Sequence, residues 1–273
     1  MSAGLLSWLP LAAKLLATAA IVVGASVIAE RAGALTGALV ATLPVTVWPA
    51  YVFLSFDHDA AYLAQAALSG LVINAVTGLF LLVYATLAQK RGLFVSLATA
   101  AACWISLAVL TRFVGWTLAE AALLNLAIYP ACLWLSATMR KAAVPQVTHA
   151  WYDLPLRTIL VCALMATILE ISHRAGPNLT GIVAVYPISS TSLILILQPR
   201  IGGRATAAVS TNSLWSLLGI SVSLAALYLS IAPCGAALSL AAALAIPVVW
   251  NLTVWVVHRR AVNDAVSCAQ EAP

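Results

Sequence analysis

Arg31-Ala32-Gly33 leads through Leu35-Thr36-Gly37 into an apolar run that reaches Pro44, and Arg174-Ala175-Gly176 leads through Leu179-Thr180-Gly181 into another that reaches Pro187. The two Arg-Ala-Gly triplets are 143 residues apart, and so are the two prolines. Leu-Thr-Gly is displaced by one further residue, so a small local shift is absorbed there. A period this long is no solenoid unit. In an apolar chain it predicts a duplicated transmembrane unit, as in many transporter folds.

Composition agrees. Of 273 residues 63% are hydrophobic and 8% charged, with a mean hydropathy of +1.04. Soluble domains carry roughly 25% charged residues. No long segment is polar enough to form a separate soluble domain. The net charge of +5 comes from loop Lys and Arg placed singly or in pairs, which predicts lipid contact and no nucleic-acid partner. The five cysteines, at 103, 132, 162, 234 and 268, form no CxxC and read as small core residues. No cofactor and no metal is called for. The first cation, Lys14, lies inside the first apolar run rather than before it, so that run reads as a mature helix and not a signal peptide.

A crossing needs about 20 apolar residues. Nine stretches satisfy this: 8–29, 35–54, 61–87, 92–111, 115–138, 155–172, 178–198, 205–231 and 235–257. The expected fold is an all-α polytopic membrane protein. Residues 1–111 form a first four-helix unit and 112–154 a linking helix with a cytoplasmic linker. A second unit occupies 155–260, and 261–273 is a short unstructured tail. Nine spans place ten of the 13 Lys and Arg on the side of the C-terminus and only Lys14, Arg112 and Arg174 on the other. That puts the N-terminus outside and the C-terminus in the cytoplasm. Eight spans with parallel units are the alternative, but they strand Arg112 in the bilayer, which costs at least ~2.5 kcal/mol. With nine, five crossings separate the two units and the second is inverted. Asp57-His58-Asp59 and Arg200 to Arg204, the loops at corresponding positions, carry opposite charge as inversion requires. The arginines at 31 and 174 do not follow that pattern.

Residues 9–111 resemble the GlpM family of small bacterial inner-membrane proteins. The likeness rests on Lys14, on the run from Leu35 to Pro44, and on Ala102-Cys103-Trp104-Ile105-Ser106. The second unit repeats part of it with Arg157, the run to Pro187 and Ser213-Leu214-Trp215-Ser216, but lacks the Ala-Cys-Trp-Ile-Ser string. The resemblance implies dual-topology units that pair antiparallel, here fused in one chain within the bacterial inner membrane. It implies a transporter-like architecture and names no substrate.

Candidate binding residues follow from the prolines. Pro44 and Thr46 lie in the second span; Pro187, Ser189, Ser190 and Thr191 lie in the seventh. A mid-helix proline removes a backbone hydrogen bond, and broken helices at corresponding places in two units point to a midplane site. A packing kink is the plainer reading. Asn74, with Ser69, and Asn212, within Ser210 to Ser213, suit either a pore lining or hydrogen-bonded glue between helices. Lys14 and Arg157, again 143 apart, either snorkel to the headgroups or attract an anion from opposite sides. Glu170, like Glu120, is either a proton-coupling carboxylate or a solvated interfacial one. Asp57-His58-Asp59 reads as a solvated loop. No HExxH, nucleotide loop or paired acid motif is present, so an enzyme is not expected. The expected function is a secondary transporter or permease for a small-molecule solute, with alternating access about a midplane site. The competing expectation is a non-transporting membrane accessory in envelope polysaccharide or lipid handling.

Overall fold

The computed structural model describes residues 11–24, 47–145 and 150–270, with side chains as far as Val257. Among the described residues all regular structure is helical. In chain order these are α1 (Leu11–Gly24), α2 (Val47–Asp57), α3 (Ala60–Ala88), α4 (Leu93–Thr111) and α5 (Leu118–Leu135). After a 3₁₀ turn (Met139–Lys141) come α6 (Asp153–Arg174), α7 (Gly176–Ala184), α8 (Ile188–Asn212), α9 (Leu214–Cys234) and α10 (Ala236–Gln270). Six stretches are long and apolar enough to cross a membrane: α3, α4, α5, α6, the run Gly176–Cys234, and Ala236–Val257 within α10. Their outer faces carry bare apolar side chains, among them Phe94, Leu126, Trp134 and Leu244. In water so much exposed apolar surface would be unsustainable; against lipid it is the expected exterior. The chain is a multi-pass membrane protein.

α3 is the hub. Apolar on every side, as a helix enclosed by others must be, it has 78% of its most apolar window buried, against 22% for α4, α5 and α6. Asp59 starts it by accepting the Tyr62 N–H at 2.8 Å. Helices α4, α5, α7, α8 and α9 all pack on it. The fully buried Tyr51, Tyr84, Tyr129, Phe80 and Leu71 belong to the one large core around it.

The run Gly176–Cys234 is not one rod. Along its first leg Thr180 meets Tyr62, Val185 meets Thr77, and Gln198 meets Tyr84, so this leg runs parallel to α3. At Gly202 the backbone takes φ +78°, a conformation open to glycine, and the chain reverses. On the return leg a Cβ at Gly203 would stand 2.1 Å from Ala88 O, and Leu217 O receives the Asn74 amide. The return leg therefore runs antiparallel to α3, and the run makes two passes.

Several boundaries differ from those expected. The chain does break between α4 and α5, where Thr117 and Glu120 form a reciprocal capping box, so residues 92–138 are two helices. The second span continues to Asp57, which closes α2 instead of lying in a loop. The seventh span is not kinked but divided into α7 and α8. Residues 261–270 are not an unstructured tail: α10 continues through Gln270, since nothing between Ala261 and Gln270 is Gly or Pro. The first copy of the opening motif, 31–44, lies outside the described residues.

Candidate functional site

The second copy of that motif shows what each residue does locally. Arg174 sits in the last turn of α6, where a cation suits the helix dipole. Gly176, at φ +76°, turns the chain into α7. Thr180 Oγ1 lies 2.7 Å from Tyr62 OH, and Tyr62 OH also donates to Ser172 O at 3.0 Å. Gly181 presses on the α3 backbone so closely that a Cβ would stand 2.1 Å from Ala66 O.

The motif then ends in a break. Pro187 has no N–H, so α7 stops at Ala184 and α8 begins at Ile188. Pro187 adopts φ −74° and ψ 52°, and Ile188 N donates to Tyr186 O at 2.7 Å, the pattern of an inverse γ-turn. Tyr186 N returns to Val183 O at 3.1 Å. Val185 O accepts from Thr77 Oγ1 of α3 at 3.4 Å, and Thr77 Oγ1 in turn accepts from Trp104 Nε1 of α4 at 3.1 Å. Trp104 stands edge-on to Tyr186, with ring centroids 5.0 Å apart. Backbone freed by a proline inside a bilayer is tolerated where other groups satisfy it: Tyr186 N serves Val183 O, which Pro187 cannot, and the Thr77 hydroxyl, 3.2 Å from Ile73 O, is also within reach of Val185 O. Of the hydroxyls after the break, Thr191 Oγ1 donates to Pro187 O at 2.9 Å and Ser192 Oγ to Ser189 O at 2.9 Å. Ser190 is half-buried and Ser189 exposed.

A second polar group lies where α3, α5 and α9 meet. Asn74, fully buried, donates from Nδ2 to Leu217 O at 2.9 Å and to Ser221 Oγ at 2.8 Å. Ser221 Oγ donates to Asn125 Oδ1 at 2.9 Å. Asn125 Nδ2 donates to Leu71 O at 2.9 Å and to Ala121 O at 2.8 Å, and Tyr129 OH donates to Asn74 O at 2.9 Å. Asn74 Oδ1 is buried and accepts nothing from any described residue.

The charged candidates take other places. Lys14 is ion-paired with Asp57, tying α1 to the end of α2. Arg157 is half-buried on α6, one turn after Asp153, and the carboxylate of Asp153 is gripped by the guanidinium of Arg200, with Nη1 at 2.9 Å from Oδ2. That second pair ties α6 to α8, and Arg200 also lies over the Tyr152 ring, 5.0 Å from its centroid. Glu170 is exposed and paired with Arg174 on the surface of α6. Glu120 is a helix cap. His58 stacks on Tyr62 at 3.8 Å and lies 5.6 Å from His173. Its pKa falls below the ordinary histidine value, first because its ring is partly withdrawn from water and then because of His173, with Asp57 and Asp59 opposing.

The structure thus brings Asn74 into a buried network and sets Pro187 at a helix break. Asn212 is exposed. Pro44 and Thr46 lie outside the described residues. Thr77, Asn125, Tyr129 and Ser221 were not singled out in the sequence, and Trp104 only within the string that carries the resemblance. Asn125 and Tyr129 carried a usable signal, being polar groups one turn apart within an otherwise apolar span. Among the described residues no cluster of three His, Cys, Asp or Glu is arranged to hold a metal. No family model, curated protein or solved structure matches the chain.

Proposed function

We propose that the protein is a secondary transporter or permease for a small solute, built from two inverted units descended from one GlpM-like ancestor. The observation that carries this is the contact between Asn74 and Leu217. These residues are 143 apart, the spacing of the sequence duplication, so each is the counterpart of the other. Two counterparts touch only on the axis that relates the units. The helices bearing them run antiparallel, as Ala88 against Gly203 indicates, and an axis across antiparallel spanning helices lies in the membrane plane.

The ion pairs support the same reading. Lys14 and Asp57 have Arg157 and Arg200 as counterparts, so the second unit cannot repeat the first pair. Instead Asp153, on the helix of Arg157, supplies the acid for Arg200. Each unit fastens its first helix to the far end of its second, with the signs exchanged. Exchanged signs are what opposite faces of a membrane select, with Arg200 cytoplasmic and Asp57 outside, in a bacterial inner membrane.

The helix break at Pro187 adjoins α3 and α4, the kind of interrupted span around which inverted-repeat transporters hold their solutes. Thr77, Trp104, Tyr186 and Ser190 line that break, and Asn74 marks the axis beside it. Relative rocking of the two units about the axis would expose this region to either side in turn. Reconstitution in liposomes tests the reading. Purified protein should accelerate flux of at least one small solute, and Pro187→Ala should reduce that flux severalfold without preventing insertion. Flux insensitive to Pro187→Ala removes the break from the mechanism. An accessory component would accelerate none.

A further inference from the structure

The helices that meet at Asn74 carry no charge where they meet. α3 and α9 contain no Asp, Glu, Lys or Arg, and α5 has only Glu120, in its first turn. What surrounds Asn74 is amide, hydroxyl and backbone carbonyl: Asn125, Ser221, Tyr129 and Leu217 O. Within this group Asn74 Oδ1 is a buried acceptor with no donor among the described residues. Seven residues before Leu217, on the return leg, Ser210 Oγ is also buried and without a partner among the described residues. Native proteins rarely leave such atoms unmet, so each needs a partner from outside the described residues.

A bound group's charge follows from the surroundings. An ion at this depth would be desolvated with no opposite charge on α3 or α9 to offset it. Of the two cations read as drawing an anion inward, Lys14 is engaged by Asp57, and Arg157 lies half-buried on α6, one turn from Asp153 and not on the helices that meet at Asn74. A carboxamide oxygen accepts a hydrogen bond and selects a donor. We infer that the solute is an uncharged small molecule of amide or polyol type, which donates an N–H or O–H to Asn74 Oδ1 and is not an anion. This rests on the transporter reading above and names the solute class of that site.

Shrink–swell measurements on proteoliposomes test it, with urea, acetamide and erythritol as neutral probes and sodium lactate and choline chloride as charged ones. At least one neutral probe should equilibrate tenfold or more faster than in protein-free liposomes, with lactate and choline unaccelerated. Asn74→Leu should abolish most of that acceleration and Ser210→Ala should reduce it about threefold. Both variants are first checked for a monodisperse peak and near-native Tm, and Ser210→Ala carries the test should Asn74→Leu not fold. Acceleration of lactate or choline alone would overturn the inference while leaving transport standing. Neutral flux unchanged in folded variants would reduce Asn74 Oδ1 to a structural acceptor, also overturning it. No acceleration of any probe would overturn this inference, and the transporter reading would then stand or fall on the flux of other solutes.

Discussion

Gly181 leaves no room for a methyl group, because its Cβ would lie 2.1 Å from a backbone oxygen of α3. Backbone cannot swing aside as a side-chain end can, so Gly181→Ala should cost about 1–3 kcal/mol, read as a lower Tm in detergent. The Lys14–Asp57 pair is partly buried, with side-chain exposures of 18% and 25%, so it is worth more than a surface pair. Lys14→Ala and Asp57→Ala should each destabilise by roughly 1–2 kcal/mol. The swap Lys14→Asp with Asp57→Lys should recover part of that loss, as unfolding of the four proteins would show. His58 contributes a pH dependence of definite sign. Its folded pKa is lowered, so the folded state prefers the neutral ring and the unfolded state binds the proton more readily. Stability should be full above about pH 6.5, the ordinary histidine value, and fall as the medium is acidified below it. Thermal unfolding from pH 8 to 5 should show the fall, and His58→Gln should flatten it. At this scale the sequence was only partly legible. Asn74 stood out as an amide in an apolar span. The carboxylate that answers Lys14 lies 43 residues away, and only the packing of α1 on the end of α2 brings it near.

Elements were more legible than residues, because apolar length alone marks a spanning helix. The division at Arg112 to Trp116 followed from the length of the apolar run and from its arginine. The division at Pro187 was visible as a proline that left a kink and a break both open, since whether a helix bends or parts depends on what donates to its freed carbonyls. Here Thr77 of α3 meets Val185 O and the γ-turn closes on Tyr186 O. Thr77→Val should take from the buried Trp104 N–H its acceptor and lower stability by about 1–3 kcal/mol. Thr77→Ser, which keeps the hydroxyl, should be nearly silent in the same Tm measurement. Helix ends were misjudged by a few residues where capping decides them, as with Asp59 and Thr117.

For the whole molecule, the proposed duplication rests in the sequence on short motifs kept at a fixed spacing, which could not say whether the two units meet. The contacts at Asn74–Leu217 and Ala88–Gly203 place α3 and the return leg after Gly202 side by side and antiparallel. The proposed inversion has a direct test at two exposed positions on counterpart loops, Asp59 and Arg204. In a background without native cysteines, Asp59→Cys should react with an impermeant thiol reagent added outside intact cells. Arg204→Cys should react only after the membrane is opened. Labelling of both from the same side would make the units parallel.

The length of α10 has a practical corollary. Its apolar portion closes at Val257, yet its backbone stays helical to Gln270, about 20 Å farther at 1.5 Å per residue. A fluorophore attached at its far end would stand about that distance beyond the apolar portion. From there it would report any tilting of this helix as a magnified displacement.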